Sequence, residues 1–379
     1  MVSQTFCESK LSPPAQFFVQ VLACLSDSRD SSSLEYFLRE TRAFDWHEFL
    51  RLVSLHGIGA HVWFALKKMQ LEELIPEEVQ RALRERYIMN LAIDKVQSQE
   101  LSALLQAFAQ ESISVLVLKG LPLHQRLFPE REWPRGAGDI DFLLHREDMD
   151  RAMRALEHLG FQFSPEEGRT LEWYRRLSHQ LQFEKKGALS FPVTVELHWS
   201  ATPDLFGRKV SFENILKVWE EVKDLEWENT SVSVLSDENL LFYQAFHLFS
   251  DWAKLAFPTL LDFHHVATLV WPLVSKERLL EKGASFGLGQ LLGAASQLVR
   301  LFYDSPALAE IGRTFPLPEQ LRSLLARMMN FERIISTGKL DVRWVFFSSY
   351  PLDIIFGLTP PNFFRYWWYR FRHSRWFER

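Results

Sequence analysis

Residues 115–145 read VLVLKGLPLHQRLFPEREWPRGAGDIDFLLH, and the reading of this stretch decides the fold. Its alternating apolar start is a strand, Ser114–Leu118, running into Lys119-Gly120. A short helix, a turn punctuated by Gly136 and Gly138, and a second strand carrying Asp139 and Asp141 follow. Successive strand residues point to opposite faces, so the two aspartates project together while Ile140 and Phe142 face the other way. That is the geometry of a platform for a divalent cation. Alone, the pair reads as solvated acids at a strand end; its neighbours change that reading.

Downstream, Arg146–Gly160 is a helix with Met149, Met153 and Leu156 on one face, Leu159 closing it and Gly160 as its stop. Phe161–Phe163 reads as a short strand, and Glu166–Leu177 as helical or irregular. Two further strands are expected at Gln180–Glu184 and Pro192–Trp199, joined by the turn-like Lys185-Lys186-Gly187. In VTVELHW, Glu196 and His198 share one face, and Val195, Leu197 and Trp199 the other. A third carboxylate therefore arrives 55 residues after Asp141, with a histidine beside it.

Upstream, Pro14 to Gln110 is helical in pattern: Phe17, Val21, Leu22 and Leu25, then Phe49, Leu52, Val53 and His56, interrupted at Gly57 and Gly59. Glu77–Gln110 is a long segment whose stripe of Ile93, Val96, Leu101, Leu104, Leu105 and Phe108 is buried. Beyond Ser236 the sequence is helical again. Ser236-Asp237-Glu238-Asn239 forms a capped start, and further helices fit Leu260–Val270, Lys276–Lys282, Leu288–Tyr303 and Pro318–Ile335. The fold class is α+β: a mixed sheet with helices over residues 111–235, an N-terminal helical region over 1–110 and a C-terminal helical domain over 236–379.

With 47% hydrophobic and 24% charged residues, a large core can be buried, and 379 residues imply two or three packed units. A formal charge of −5 excludes general attraction to nucleic acid and leaves only local basic patches. Cys7 and Cys24 are too few for a disulfide framework, which fits a reducing compartment, the cytoplasm. The run Phe17–Leu25 reads as a helix rather than a secretion signal, and no apolar run approaches the ~18 to 20 residues of a membrane span.

The order strand, Gly, short helix, D-x-D strand, then a single carboxylate on a later strand resembles the nucleotidyltransferase superfamily. In particular it resembles an uncharacterised nucleotidyltransferase-like family that reads LKG, then a short YP-type segment and an arginine, then GDIDLLV, and later an ELHW or DLHW strand. Those pieces stand here as Leu118-Lys119-Gly120, Leu127-Phe128-Pro129, Arg135, Gly138-Asp139-Ile140-Asp141-Phe142-Leu143-Leu144 and Glu196-Leu197-His198-Trp199. The likeness is closest over Val115–Trp199. It extends more weakly to Leu55-His56-Gly57 and to Ser236–Val270, where His247 and Leu261-Asp262 fall at matching places. The resemblance implies an NTP substrate and transfer of a nucleoside monophosphate to a hydroxyl-type acceptor, whether small molecule, protein or RNA.

For that chemistry, Asp139, Asp141 and Glu196 are the expected catalytic and metal-holding residues. Hard oxygen ligands suit Mg²⁺ or Mn²⁺ rather than zinc, and two such ions serve phosphoryl-type transfer. Lys119 and Arg135 are expected phosphate contacts, and Gly120, Gly136 and Gly138 allow close backbone approach or simply form the turn. His198 orients Glu196, binds substrate or donates a proton; a satisfied core histidine is an equal alternative. His247, Asp251, Asp262 and His264-His265 read as a polar helix pair lining an acceptor cleft rather than a metal cluster. A glycosidase pair is disfavoured because the aspartates share one strand face. The rival class is a non-catalytic nucleotide-binding or accessory module on the same fold. The end of the chain, residues 360–379, interleaves five arginines with nine aromatic residues. Its Arg365–Arg379 part is expected to pack on the helical domain, with contact to RNA or a membrane surface as the alternatives.

Overall fold

The structure is a computed structural model that describes residues 11–26, 32–41, 44–128, 136, 138–187, 191–201, 214, 216–227, 230–250, 257–285, 287–303, 305–328 and 335–336. Arg135, Asp251 and the arginine-rich tail lie outside the described residues. The described residues divide into two units: 11–88 with 240–336, and 89–239.

In the first unit, α1 (Pro13–Ser26), α2 (Ser32–Glu40), α3 (Trp46–Leu55) and α4 (Gly59–Lys68) precede α5 (Glu77–Gln110), whose first turns belong here. Asp45 caps α3 by accepting the Glu48 N–H at 2.9 Å, as an N-terminal acid should. After Ser236 come α9 (Asp237–Ser250), α10 (Phe257–Val270), α11 (Lys276–Gly283), α12 (Leu288–Val299), α13 (Pro306–Thr314) and α14 (Glu319–Met328). The two sets of helices share an aromatic core. Phe17 lies 5.1 Å from Phe49, Phe18 5.5 Å from Phe257, and Phe257 5.0 Å from Phe302. Helix α12 stops at Val299, earlier than the expected Tyr303; the chain turns through Arg300–Phe302, and Tyr303 is buried with its ring stacked on His264 at 5.1 Å. His264 and His265 are both buried in this unit. Among the described residues no single helix is long and apolar enough to cross a membrane; α3 and α4 together pass by length but meet at a bend of 119°.

The second unit holds a seven-stranded sheet among its described residues. In chain order the elements are β1 (Val115–Val117), α6 (Leu121–Leu127), β2 (Asp139–Leu144), α7 (Met149–His158), β3 (Gln162–Phe163), α8 (Leu171–Leu177), β4 (Gln180–Lys186), β5 (Pro192–His198), β6 (Val222–Trp227) and β7 (Thr230–Leu235). The spatial order is β3-β4-β5-β2-β1-β7-β6. β2 is antiparallel to β1 and parallel to β5, so the sheet is mixed. One face carries Ile140, Phe142 and Leu144 with Val193, Val195, Leu197, Leu181 and Phe183, packed under Leu101, Leu104 and Phe108 of α5 and under α7. Phe142 is fully buried, edge-on to Phe108 at 5.1 Å; such burial contributes about 2–3 kcal/mol. Cross-strand neighbours share a face, so the opposite face carries Asp139, Asp141, Thr194, Glu196 and His198.

Most element ends fall within a few residues of expectation, and the larger departures have local causes. β4 runs two residues further because Lys185 is held by Glu100 of α5 at 2.8 Å and Lys186 pairs with Pro192. The turn starts at Gly187, whose N–H donates to the Phe191 carbonyl at 2.9 Å. The Glu166–Leu177 stretch resolves into α8, capped where the Thr170 hydroxyl accepts the Trp173 N–H. β6 and β7, an antiparallel pair beside β1, have no counterpart in the strands expected from sequence.

Candidate active site

The site sits where β1 ends and β2 begins. The Leu118 N–H donates to the Asp141 carbonyl at 3.1 Å, carrying the antiparallel pairing to the start of the turn. Gly120 then adopts φ +90°, ψ −148°, backbone open in practice only to glycine. Gly120→Ala is expected to cost on the order of 1–3 kcal/mol. Gly138 has no such φ, and a Cβ there would meet nothing within 4 Å. Alanine at Gly138 is therefore expected to change stability by less than about 0.5 kcal/mol. Urea unfolding of both variants checks the contrast.

The register sets Glu196 directly opposite Asp141, and His198 opposite Leu143. Asp141 is buried at 1% exposure, whereas the Asp139 side chain is 31% exposed. The His198 Nε2 lies 3.2 Å from Asp141 Oδ1 and 3.3 Å from Glu196 Oε2, joining the two carboxylates. On the other side, the Lys119 ammonium lies 3.3 Å from Asp141 Oδ2 and 3.4 Å from Asp139. Three carboxylates and two basic groups thus form one chain, Asp139–Lys119–Asp141–His198–Glu196. Ligand atoms of Asp141, Glu196 and His198 all lie within 4.8 Å of one another. Asp139 stands outside that triplet and reaches it through Lys119.

The electrostatics follow from this alternation. Burial by itself would raise the Asp141 carboxyl, but the Lys119 charge and the His198 hydrogen bond outweigh it and hold the group below the usual carboxylate range. Burial opposes the charged form of His198, yet hydrogen bonds and charge from Asp141 and Glu196 push it up to about 9. At neutral pH His198 is an imidazolium that donates to its acids. His179, whose ring centroid is 5.7 Å from that of His198, is driven the other way, down to about 3, by burial and by the His198 charge.

The structure therefore brings together Lys119, Gly120, Asp139, Asp141, Glu196 and His198. Arg135 is outside the described residues. Gly136 does not offer its amide to a ligand: its N–H donates to Asp94 Oδ1 of α5 at 3.0 Å. His56 donates or accepts at the Ile335 carbonyl, 2.9 Å away, and belongs to the first unit's core. His179 escaped the sequence reading. Its nearness to the site depends on the register that pairs Gln180 with His198, and nothing in the local sequence marks it.

Comparison with known proteins agrees with this geometry. No curated protein matches the chain significantly. A family model described as uncharacterised nucleotidyltransferase matches residues 42–304, which include every strand of the sheet and all of the clustered site residues. The chain belongs to that uncharacterised nucleotidyltransferase family.

Proposed function

We propose that this protein is a metal-dependent nucleotidyltransferase that moves a nucleoside monophosphate from an NTP to a hydroxyl-type acceptor, releasing pyrophosphate. The observation that carries this reading is the convergence of Asp141, Glu196 and His198 within 4.8 Å, beside Lys119 and Asp139. The residues fit a divalent ion. Asp141 Oδ2 is buried, faces the Lys119 ammonium at 3.3 Å and has no hydrogen-bond partner among the described residues, and carboxylate oxygens are hard donors that suit Mg²⁺ or Mn²⁺. Asp141 and Glu196 would hold the ion, with Asp139 at the more exposed edge. When bound, the ion supplies charge neutralisation for the triphosphate and a more acidic acceptor hydroxyl.

The chain's own groups perform the rest. Lys119 presents a cation at the edge of the platform, where it draws the triphosphate in and offsets its charge. Glu196, at 16% side-chain exposure, is open enough to take the acceptor's proton. His198 donates to both acids and fixes their orientation for the incoming groups. The acceptor could be a small molecule, a protein or RNA, since the fold does not choose among them.

A specific observation favours a second reading, a non-catalytic nucleotide-binding module. Lys119 and the His198 imidazolium already neutralise much of the carboxylate charge, so the cluster is coherent as a structural network. Thermal shift with each NTP, with and without Mg²⁺ or Mn²⁺, bears on both. Metal-dependent stabilisation in the wild type that vanishes in Asp139→Ala/Asp141→Ala is the expected result. No shift under any condition removes both readings.

A further inference from the structure

Helix α5 reaches the turn that delivers the aspartates, and it does so with two polar side chains. Asp94 Oδ1 accepts the Gly136 N–H at 3.0 Å, although the two residues are 42 apart in sequence. Gly136 has φ +59°, and a Cβ built there would lie 2.8 Å from Asn90 Oδ1 and closer still to the other amide atoms. Asn90 and Asp94 are one helical turn apart, so they present to the same side of α5. One side chain thus holds the glycine's amide while the other fills the space a larger residue would need. Three residues after Gly136 the chain becomes β2 at Asp139. Strand β5 pairs with β2 from Asp139 onward, whereas on the other side the pairing with β1 ends at Phe142 and the Leu118 N–H reaches only the Asp141 carbonyl, so Asp139 is paired on one side alone and its placement also depends on the chain that precedes it.

We infer that Asp94 is a positioning residue for nucleotidyl transfer: it tethers the Gly136 turn to α5 and so sets where Asp139 and the adjoining backbone meet the metal–triphosphate. The positive φ of Gly136 favours glycine there, and the Asn90 amide lies against it from the same side of α5. The inference rests on the nucleotidyltransferase reading above and assigns the work of aiming Asp139 to a helix that carries none of the family's motif residues. Groups that orient a metal-binding carboxylate typically affect metal affinity or activity by about 10- to 100-fold. Asn at position 94 still offers an oxygen to the Gly136 N–H, so it should retain the tether that Ala loses.

The test is equilibrium binding of Mn²⁺, and of each common NTP with Mg²⁺, to the full chain and to Asp94→Ala, Asp94→Asn, Asp139→Ala and Asp94→Ala/Asp139→Ala. Asp94→Ala is expected to weaken binding about tenfold or more, and Asp94→Asn only a few-fold. In the Asp139→Ala background Asp94→Ala should have little further effect, since a residue that acts through Asp139 has nothing left to aim. Asp94→Ala binding as tightly as wild type, or losing the same factor in both backgrounds, overturns the inference. If the wild type binds no metal or nucleotide, the nucleotidyltransferase reading fails, and amide hydrogen exchange over residues 138–141 judges the tether by itself. Faster exchange in Asp94→Ala than in Asp94→Asn retains it, and equal exchange overturns it.

Discussion

Asp141→Ala is expected to abolish metal-dependent nucleotide binding and to reduce transfer about a thousandfold or more. The size follows from position. Asp141 is the one carboxylate in contact with both cations, 3.3 Å from Lys119 and 3.2 Å from His198, and is 1% exposed. Removing it also leaves His198 with a single acid, Glu196, in a buried place. Breaking a buried ion pair costs about 3–5 kcal/mol; because Glu196 and Asp139 still serve the two cations, a loss near the lower end is expected. Asp141→Asn separates the two effects. It keeps the volume and can still accept from His198, so most of the stability should return while metal binding stays lost. Urea unfolding combined with Mn²⁺ binding distinguishes them; an Asp141→Asn variant that binds Mn²⁺ like wild type contradicts the assignment.

The second large effect is a pH dependence. His198 has an ordinary value of 6.5 and is pushed up to about 9 in the folded, metal-free protein. A raised folded value means that the folded state holds the proton more tightly than the unfolded one. The stabilisation is complete below about pH 6.5 and is lost as pH rises through 9. Its size is on the order of 3 kcal/mol, from a shift of between two and three units at about 1.4 kcal/mol each. Wild-type protein in chelator should therefore lose stability between pH 6.5 and 9, and His198→Gln should flatten that slope. On the acid side the sign reverses for His179, held down to about 3. Its neutral form is required by the fold, so stability falls as pH drops from 6.5 towards 3. An NMR titration that finds His198 near 6.5 would remove the basis for the alkaline slope.

Much of this molecule is legible from local pattern. The alternation in VLVLKG, GDIDFLL and VTVELHW sets β1, β2 and β5, and the same alternation puts Asp139 with Asp141 and Glu196 with His198. What local pattern does not carry is adjacency. Glu196 faces Asp141 because β5 lies beside β2, although α7, β3, α8 and β4 intervene in sequence. Depth is also invisible. A D-x-D at a strand start reads as two comparable acids, yet Asp139 is partly exposed and Asp141 is enclosed, because β2 is a central strand. β6 escaped because Asp224 and Glu226 occupy its exposed face, as suits a strand at the sheet's edge, and Lys223 interrupts the other face, which it shares with Leu225 and Trp227; its partner β7 alternates in TSVSVL with serines that read equally as loop. The tether from Asp94 to Gly136 joins a helix to a turn across 42 residues, and no spacing rule links them.

On the proposed function, the Asp141–Glu196–His198 site transfers the α-phosphoryl nucleoside portion of an NTP. The most direct measurement supplies the full-length protein with NTPs labelled at either the α or the γ phosphate, in Mg²⁺ or Mn²⁺, with cell extract as the source of acceptor. The expected result is that α label becomes fixed to an acceptor while γ label leaves as pyrophosphate, and that Asp141→Ala shows neither. Fixation of γ label in place of α label, or no fixation of either label despite metal-dependent NTP binding, would contradict it.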